Sequence, residues 1–379
     1  MSRQLGALPV EAFLAEYWQR APCLLRGALA DVDFPLDGDD LAGLACEPLA
    51  EARLISGPDR TGCWTLRHGP FDERDFDGLG DANWTLLVQD VEKHYPPLAD
   101  LLERFDFLPR WRVDDLMVSF AAPGGSVGPH VDQYDVFLCQ VQGRRRWELA
   151  SDFEPARRED VPLDMLAHFE TDTRWDLEPG DVLYLPPGVA HHGVALDPCL
   201  TCSVGFRAPS AADLALALGE WLADRDDSGG RYRDPGLRPA PPDGEIDAAA
   251  LERFRTLLRA QIDGPAFGQF LGAFMSRFRQ AHEPAPGPGP GPQLAATDSA
   301  LTADVGTGAL TVHPWARLAW IREGTDRARL FASGRAYVCS VALAAWLGAG
   351  AQGTPPTLAP GDRRCLQALI DAGQLLQDA

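Results

Sequence analysis

The chain has 379 residues, 34 of them basic and 55 acidic, so its formal net charge at pH 7 is −21. This length exceeds one ordinary hydrophobic core and predicts two or three domains. The acidic balance argues against a general nucleic-acid-binding protein and favours basic partners, although it is also typical of a soluble, self-repelling surface.

The sequence shows no sign of export or membrane insertion. Met1 to Leu14 contains Arg3 and Glu11 and lacks the sustained apolar core of a secretory signal, and no window approaches the roughly 18 uninterrupted apolar residues of a membrane span. Cys199 and Cys202 form a C-x-x-C pair without the second half of a zinc site, so we expect a strand with buried thiols. These features predict a cytoplasmic protein with no membrane contact.

Helices and a strand are expected ahead of the central motifs. Residues 9–20 and 37–47 have helical patterns, and 85–94 begins like a strand before turning polar. Asp114 and Asp115 then precede the first core strand. They are candidates to face a basic substrate side chain, as is Asp135, although a solvated loop is the alternative for the first two.

The stretch from Leu116 to Trp147 carries the densest chemical signal. Leu116, Val118 and Phe120 alternate with Met117, Ser119 and Ala121, as expected for a strand with one bulky and one smaller face. His130 and Asp132 follow, and their spacing places both side chains on one face of an extended chain. The stretch ends at Gly143-Arg144-Arg145-Arg146-Trp147, which we expect to close a second apolar strand. Two candidate metal ligands followed by a buried arginine predict a metal enzyme with an anionic co-substrate.

A third metal ligand is offered by the segment PPGVAHHG at residues 186–193. His191 shares a strand face with Gly193 and Ala195, which leave room for a metal and a substrate, whereas His192 lies on the opposite, packing face. His130, Asp132 and His191 would form the two-histidine, one-carboxylate set of non-heme Fe(II) oxygenases. The H-x-D spacing alone occurs often by chance, so the prediction depends on the surrounding pattern.

The sequence becomes helical after residue 209. Ser210 and Asp213 form a capping box, and an apolar stripe from Phe267 to Phe278 suits a core or a subunit interface. Residues 284–292, PAPGPGPGP, are a linker, and short strands and helices follow.

Three motifs together, PGGSVGPHVDQYDVF, GRRRW and LYLPPGVAH, resemble the Jumonji-C (JmjC) oxygenases of the cupin superfamily. Within that group the chain looks most similar to the bacterial ribosomal oxygenases, which hydroxylate an arginine of a large-subunit ribosomal protein. The resemblance implies a mainly β double-stranded β-helix (cupin) core over 1–208, a helical dimerisation region over 209–283, the linker at 284–292, and a winged-helix-like α+β domain over 293–379. It also implies a homodimer and a basic ribosomal protein as substrate. Direct nucleic-acid binding is not expected, because the C-terminal segment lacks a strong basic cluster.

The resemblance further implies the cofactors and their residues. Fe(II) would be held by His130, Asp132 and His191, and 2-oxoglutarate and O2 would be consumed to give succinate and CO2. The position of Arg145 is the one that binds the distal carboxylate of 2-oxoglutarate in the family, and Ser119 on the neighbouring strand would donate to the same carboxylate. Two alternatives remain open: hydroxylation of another protein side chain, such as His or Lys, and a non-enzymatic metal-binding cupin regulator.

Overall fold

The computed structural model describes residues 4–59, 61–225, 230–237, 244–277, 310–351 and 354–377. The chain divides into two compact units, residues 1–208 and 209–379. The finer domain limits within the second unit stay a prediction, and the linker at 284–292 lies outside the described residues. No helix among the described residues is long and apolar enough to cross a lipid bilayer.

The first unit is built mainly from β-strands. Its elements in chain order are β1 (Gln4–Leu5), β2 (Leu8–Pro9), α1 (Val10–Glu16), β3 (Cys23–Leu25), α2 (Gly38–Ala45), β4 (Ala52–Ser56), β5 (Thr65–His68), β6 (Trp84–Val88), α3 (Val91–His94), β7 (Val113–Ala121), β8 (His130–Val131), β9 (Asp135–Gln142), β10 (Arg145–Ala150), β11 (Thr173–Leu177), β12 (Val182–Leu185), β13 (Ala190–Ala195) and β14 (Cys199–Phe206). Short 3-10 helices cover Glu73–Asp75, Pro96–Phe105 and Arg110–Arg112.

Strands β1 and β2 pair with each other, and the other strands of this unit form two antiparallel sheets. The larger sheet has the order β3-β12-β9-β14-β7-β6-β4-β5, and the smaller has the order β11-β10-β13-β8. Apolar side chains of β9 and β12 pack with those of β10 and β11, so a core lies between the sheets. The mainly β double-stranded β-helix core that the sequence predicts is therefore confirmed.

Alternation along the central strands decides which side chains face the second sheet. On β9, Phe137 and Cys139 join the core between the large sheet and the covering helices, whereas Val136 and Leu138 face the smaller sheet. On β7, Leu116 and Val118 are likewise turned toward the helices. Residues 115, 117 and 119 are left to face the other way, toward the space between the sheets.

The predicted N-terminal helix is shorter than expected. It ends at Glu16, and Tyr17 to Arg20 form a turn in which Gln19 has a φ of +55°. This turn brings Gln19 to a buried cluster with Arg112, Asp135 and Tyr184. Asp135 is 0% exposed and accepts hydrogen bonds from Gln19 Nε2 (2.9 Å), Arg112 Nη2 (2.8 Å) and the Tyr184 hydroxyl (2.6 Å). The cluster ties the N-terminal segment to β9 and β12.

The second unit combines helices with a three-stranded sheet. Its elements are α4 (Ala211–Ala223), α5 (Ala248–Ile262), α6 (Phe267–Ser276), β15 (Leu310–Val312), β16 (Leu318–Arg322), β17 (Arg327–Ala332), β18 (Arg335–Ser340), α7 (Val341–Gly348), α8 (Asp362–Asp371) and β19 (Leu375–Gln377). The capping box of Ser210 and Asp213 is present at the start of α4. The last helix ends at Asp371, because the chain turns at Gly373 (φ +68°) and β19 pairs with β15.

The aromatic stripe beginning at Phe267 lies largely in the core of this unit. Phe270 and Met275 are buried, and α6 approaches the three-stranded sheet so closely that a side chain at Gly272 would overlap the Phe331 ring. Phe278 lies outside the described residues. Four exposed apolar side chains lie instead along α5, at Leu251, Phe254, Leu258 and Ile262, and Leu216 on α4 is exposed as well.

Candidate metal centre and its pocket

Two strands of the smaller sheet bring the predicted metal ligands together. His130 lies on β8 and pairs in register with His191 on β13, and Asp132 follows directly after β8. Asp132 Oδ1 lies 3.9 Å from His130 Nε2, and Asp132 Oδ2 lies 3.6 Å from His191 Nε2. One ligand atom from each residue lies within 4.8 Å of the other two. Strand pairing thus brings together two histidines that are 61 positions apart in the sequence.

Backbone carbonyls set the orientation of both imidazoles. His130 Nδ1 lies 3.0 Å from the Gly128 carbonyl oxygen, and His191 Nδ1 lies 2.9 Å from that of Val189. Because a carbonyl only accepts, each Nδ1 carries the proton and each Nε2 lone pair points to the space shared with Asp132. Burial, followed by the nearby His130, lowers the pKa of His191 to about 4. His191 is therefore neutral at pH 7, as a metal ligand must be.

The neighbouring His192 has a different environment. Its Nδ1 lies 3.6 Å from Glu148 Oε2, and its ring meets the edge of Phe169 on the face of β13 opposite to His191. The predicted division of the two histidines between opposite strand faces is confirmed.

The arginine run begins β10 and does not close β9, because β9 ends at Gln142 and Gly143 turns the chain with a φ of +62°. Arg144 and Arg146 point outward and pair with Asp197 and Asp176, both through Nε, at 2.8 Å and 2.7 Å. Arg145 points inward, as strand alternation predicts, and is only 3% exposed.

Arg145 is a buried cation without an anionic partner among the described residues. Its Nη1 donates two long hydrogen bonds, to Ser119 Oγ at 3.2 Å and Thr201 Oγ1 at 3.4 Å, and its Nε has no acceptor. Burial lowers the pKa of Arg145, but a guanidinium stays charged in proteins. A buried charge of this kind is costly unless a ligand neutralises it. The arrangement suits an incoming carboxylate.

Arg145 is also supported by residues that the sequence patterns did not identify. Thr201 on β14 pairs in register with Ser119 and donates to Gln140 Oε1 at 3.1 Å. The guanidinium carbon of Arg145 lies 5.2 Å from the centre of the Trp147 ring. A Cβ at Gly193 would lie 2.6 Å from that ring and 3.0 Å from Arg145 Nε, so only glycine fits there. The sequence could have identified Thr201 as a partner of Arg145 only if the pairing of β14 with β7 had been known.

One cavity of about 270 Å³ joins the three candidate metal ligands to Arg145 and Ser119. The three candidate acidic residues differ in their relation to it. Asp115 lines the cavity and is mostly buried, Asp114 pairs with Arg207 at 3.0 Å, and Asp135 belongs to the buried cluster described above. The structure therefore places only Asp115 of these three at the cavity, since strand alternation turns residue 115 inward.

Comparisons with known proteins agree with this architecture. A family model described as the JmjC domain matches residues 100–214. The chain is 40% identical over 269 residues to ribosomal protein uL16 3-hydroxylase of Escherichia coli K12, which covers 70% of this chain and 71% of that relative.

Solved structures extend the similarity over the full length. A structure of E. coli YcfD covers 100% of both chains with a TM-score of 0.84 and 33% identity. A second structure shows YcfD, described as a ribosomal oxygenase, in complex with cobalt and 2-oxoglutarate; it covers 98% of this chain and 99% of that chain with a TM-score of 0.82 and 33% identity. From the shared fold, sequence identity and JmjC match, this chain belongs to the JmjC-domain ribosomal oxygenases.

Proposed function

We propose that this protein is an Fe(II)- and 2-oxoglutarate-dependent dioxygenase that hydroxylates an arginine side chain of a large-subunit ribosomal protein. The observation that carries the proposal is the content of one cavity, which combines the His130, Asp132 and His191 ligand atoms with the unpaired guanidinium of Arg145. The relative named uL16 3-hydroxylase and the YcfD complex with cobalt and 2-oxoglutarate support the same chemistry.

The donor set fits Fe(II). Two neutral imidazoles and one carboxylate on adjacent elements would occupy part of the coordination sphere and leave positions for other ligands. When bound, the iron supplies the oxidising chemistry that uses O2 and 2-oxoglutarate and places a hydroxyl group on an unactivated carbon. The chain itself holds the proton of each imidazole on Nδ1 through Gly128 and Val189, which keeps both Nε2 atoms available.

Arg145, Ser119 and Thr201 would bind the distal carboxylate of 2-oxoglutarate. A guanidinium gives a fixed two-pronged donor to a carboxylate, and the two hydroxyls, 3.2 and 3.4 Å from Nη1, stand beside it. Trp147 covers the guanidinium on one side, and the missing side chain of Gly193 leaves space next to it. Exclusion of water from this end strengthens the ion pair.

Asp115 is the feature that favours a cationic substrate side chain. It lines the cavity on the same face of β7 as Met117 and Ser119. Asp115 is therefore separated by Met117 from Ser119, which stands beside Arg145. A carboxylate recognises a guanidinium by paired, charge-assisted hydrogen bonds. The apolar wall that Met117 and Tyr134 contribute suits the methylene groups of an arginine.

The direct test is mass spectrometry of ribosomal protein uL16 after incubation with enzyme, Fe(II), 2-oxoglutarate and O2. We expect a gain of one oxygen atom, located on an arginine by fragmentation, and succinate release that depends on the protein substrate. A gain on histidine or lysine would assign the alternative hydroxylase activity. Metal binding without any substrate-dependent succinate would contradict the enzyme and favour a regulator.

We further infer a homodimer that acts in the cytoplasm, where ribosomal proteins are made. Four apolar side chains are 43–66% exposed along α5, at Leu251, Phe254, Leu258 and Ile262. Exposed apolar stripes of this kind mark association surfaces. The proposed contact therefore lies on α5, whereas the stripe that begins at Phe267 packs largely within its own unit.

A further inference from the structure

Arg53 is a second cation at the cavity, and the proposed chemistry does not use it. It lies on β4 and pairs in register with Leu87 on β6, which in turn pairs with Ser119 on β7. Residues paired across neighbouring strands share one face of a sheet. Arg53 therefore stands on the same face as Ser119, and both line the cavity.

The guanidinium of Arg53 lacks an oxygen acceptor. Its Nη2 approaches only the thioether sulfur of Met117, at 3.9 Å, and its Nε is buried with no hydrogen-bond partner. In the described part of the chain no carboxylate forms an ion pair with it. Asp164, which also lines the cavity, is already paired with Arg157 at 2.5 Å.

An acceptor supplied by a ligand would satisfy this group, because the Arg53 side chain is half-buried and its Nε is shielded from solvent. A guanidinium has five N–H donors and no acceptor, and a thioether is only a weak acceptor. A shielded donor without an acceptor costs free energy, and the cost is larger for a charged donor than for a neutral one. A ligand that supplies an oxygen to Arg53 therefore binds more tightly.

The position of Arg53 decides between the ligands of the proposed reaction. The distal carboxylate of 2-oxoglutarate already has Arg145, Ser119 and Thr201, and the Leu87 strand separates Arg53 from Ser119. The guanidinium of a substrate arginine would be repelled by Arg53 and has Asp115 as a partner. Apart from the 2-oxoglutarate oxygens that would bind the metal, the remaining oxygen acceptors belong to the polypeptide that carries the arginine.

We propose that Arg53 binds an oxygen acceptor of the substrate polypeptide, either a main-chain carbonyl or a side-chain carboxylate close to the hydroxylated residue. Arg53 then positions the peptide, while Asp115 binds the guanidinium of the substrate arginine. This inference rests on the proposed function, because it requires a peptide substrate.

The test compares Arg53→Gln and Arg53→Lys with the wild-type protein, using an arginine-containing uL16 peptide. We expect Arg53→Gln to raise the KM for the peptide about ten-fold or more, with a smaller rise for Arg53→Lys, because lysine keeps the charge but loses the planar donor pair. The KM for 2-oxoglutarate, measured at saturating peptide, should not change. Arg67→Gln is the matched control, since Arg67 on neighbouring β5 is exposed and pairs with Asp75 outside the cavity.

A second peptide, with its acidic side chains replaced by amides, separates the two sources of oxygen. If the effect of Arg53→Gln persists with this peptide, the acceptor is a main-chain carbonyl; if it disappears, the acceptor is a carboxylate. A higher KM for 2-oxoglutarate in the Arg53 variants, or an unchanged KM for the peptide, would overturn the inference. The proposed function would still hold in that case, provided that the wild-type protein hydroxylates the peptide. If the wild-type protein hydroxylates no uL16 peptide, the proposed function fails first and the inference fails with it.

Discussion

Replacement of Arg145 tests the centre of the proposed mechanism. In the free protein this guanidinium is 3% exposed and has only two long hydrogen bonds, so the carboxylate of 2-oxoglutarate would be its single strong partner. Removing one member of a desolvated charged pair costs about 2–5 kcal/mol. We therefore expect Arg145→Ala to raise the apparent KM for 2-oxoglutarate by roughly 30-fold to several thousand-fold. Arg145→Lys should have a smaller effect.

Stability measurements separate this effect from misfolding. An unpaired buried cation destabilises the free protein, so Arg145→Met should unfold at a temperature no lower than the wild type when 2-oxoglutarate is absent. The stabilisation that 2-oxoglutarate gives to the wild-type protein should be lost in the variant. Fe(II) affinity should stay near normal, because Arg145 does not touch the metal ligands.

Arg144→Ala is the control for this experiment. Arg144 precedes Arg145 but points outward and pairs with Asp197, so its removal should leave the KM for 2-oxoglutarate unchanged. Equal impairment of the Arg144 and Arg145 variants, or an Arg145→Ala protein indistinguishable from the wild type, would refute the assignment of the anchor.

Four further predictions address the metal site, the fold and the assembly. His191→Ala should abolish Fe(II)-dependent turnover and His192→Ala should keep most of it; the reverse order would exchange their roles. Asp135→Ala should lower the free energy of unfolding by about 3–5 kcal/mol in urea titrations, because it leaves the mostly buried Arg112 without its ion-pair partner. A loss below about 1 kcal/mol would contradict this prediction. Burial raises the pKa of Glu92 from 4.5 to about 8, so wild-type stability should fall as pH rises through this range, by up to about 1.4 kcal/mol per unit, and Glu92→Gln should remove that slope. Light scattering should give twice the chain mass of 41.1 kDa at micromolar concentration, and Leu258→Asp on α5 should reduce it; a monomeric wild type would disprove the dimer.

Local patterns in the sequence determined the strands and the direction of their side chains. Alternation from residue 116 onward correctly separated the helix-facing side of β7 from its inner side. The same rule turned Arg145 inward between two outward arginines and divided His191 from His192. These predictions succeed because side-chain direction in a strand depends only on position along the chain.

Tertiary structure decided which strands meet. The pairing of β8 with β13 puts His130 beside His191, and the pairing of β7 with β14 puts Thr201 beside Ser119. The pairing of β4 with β6 carries Arg53 to the cavity. None of these contacts has a local signature, because strand register depends on packing between segments far apart in sequence. For the same reason the acidic residues near β7 and β9 could be counted from the sequence, but only the folded chain shows that Asp115 faces the cavity and that Asp135 is sealed inside a structural cluster.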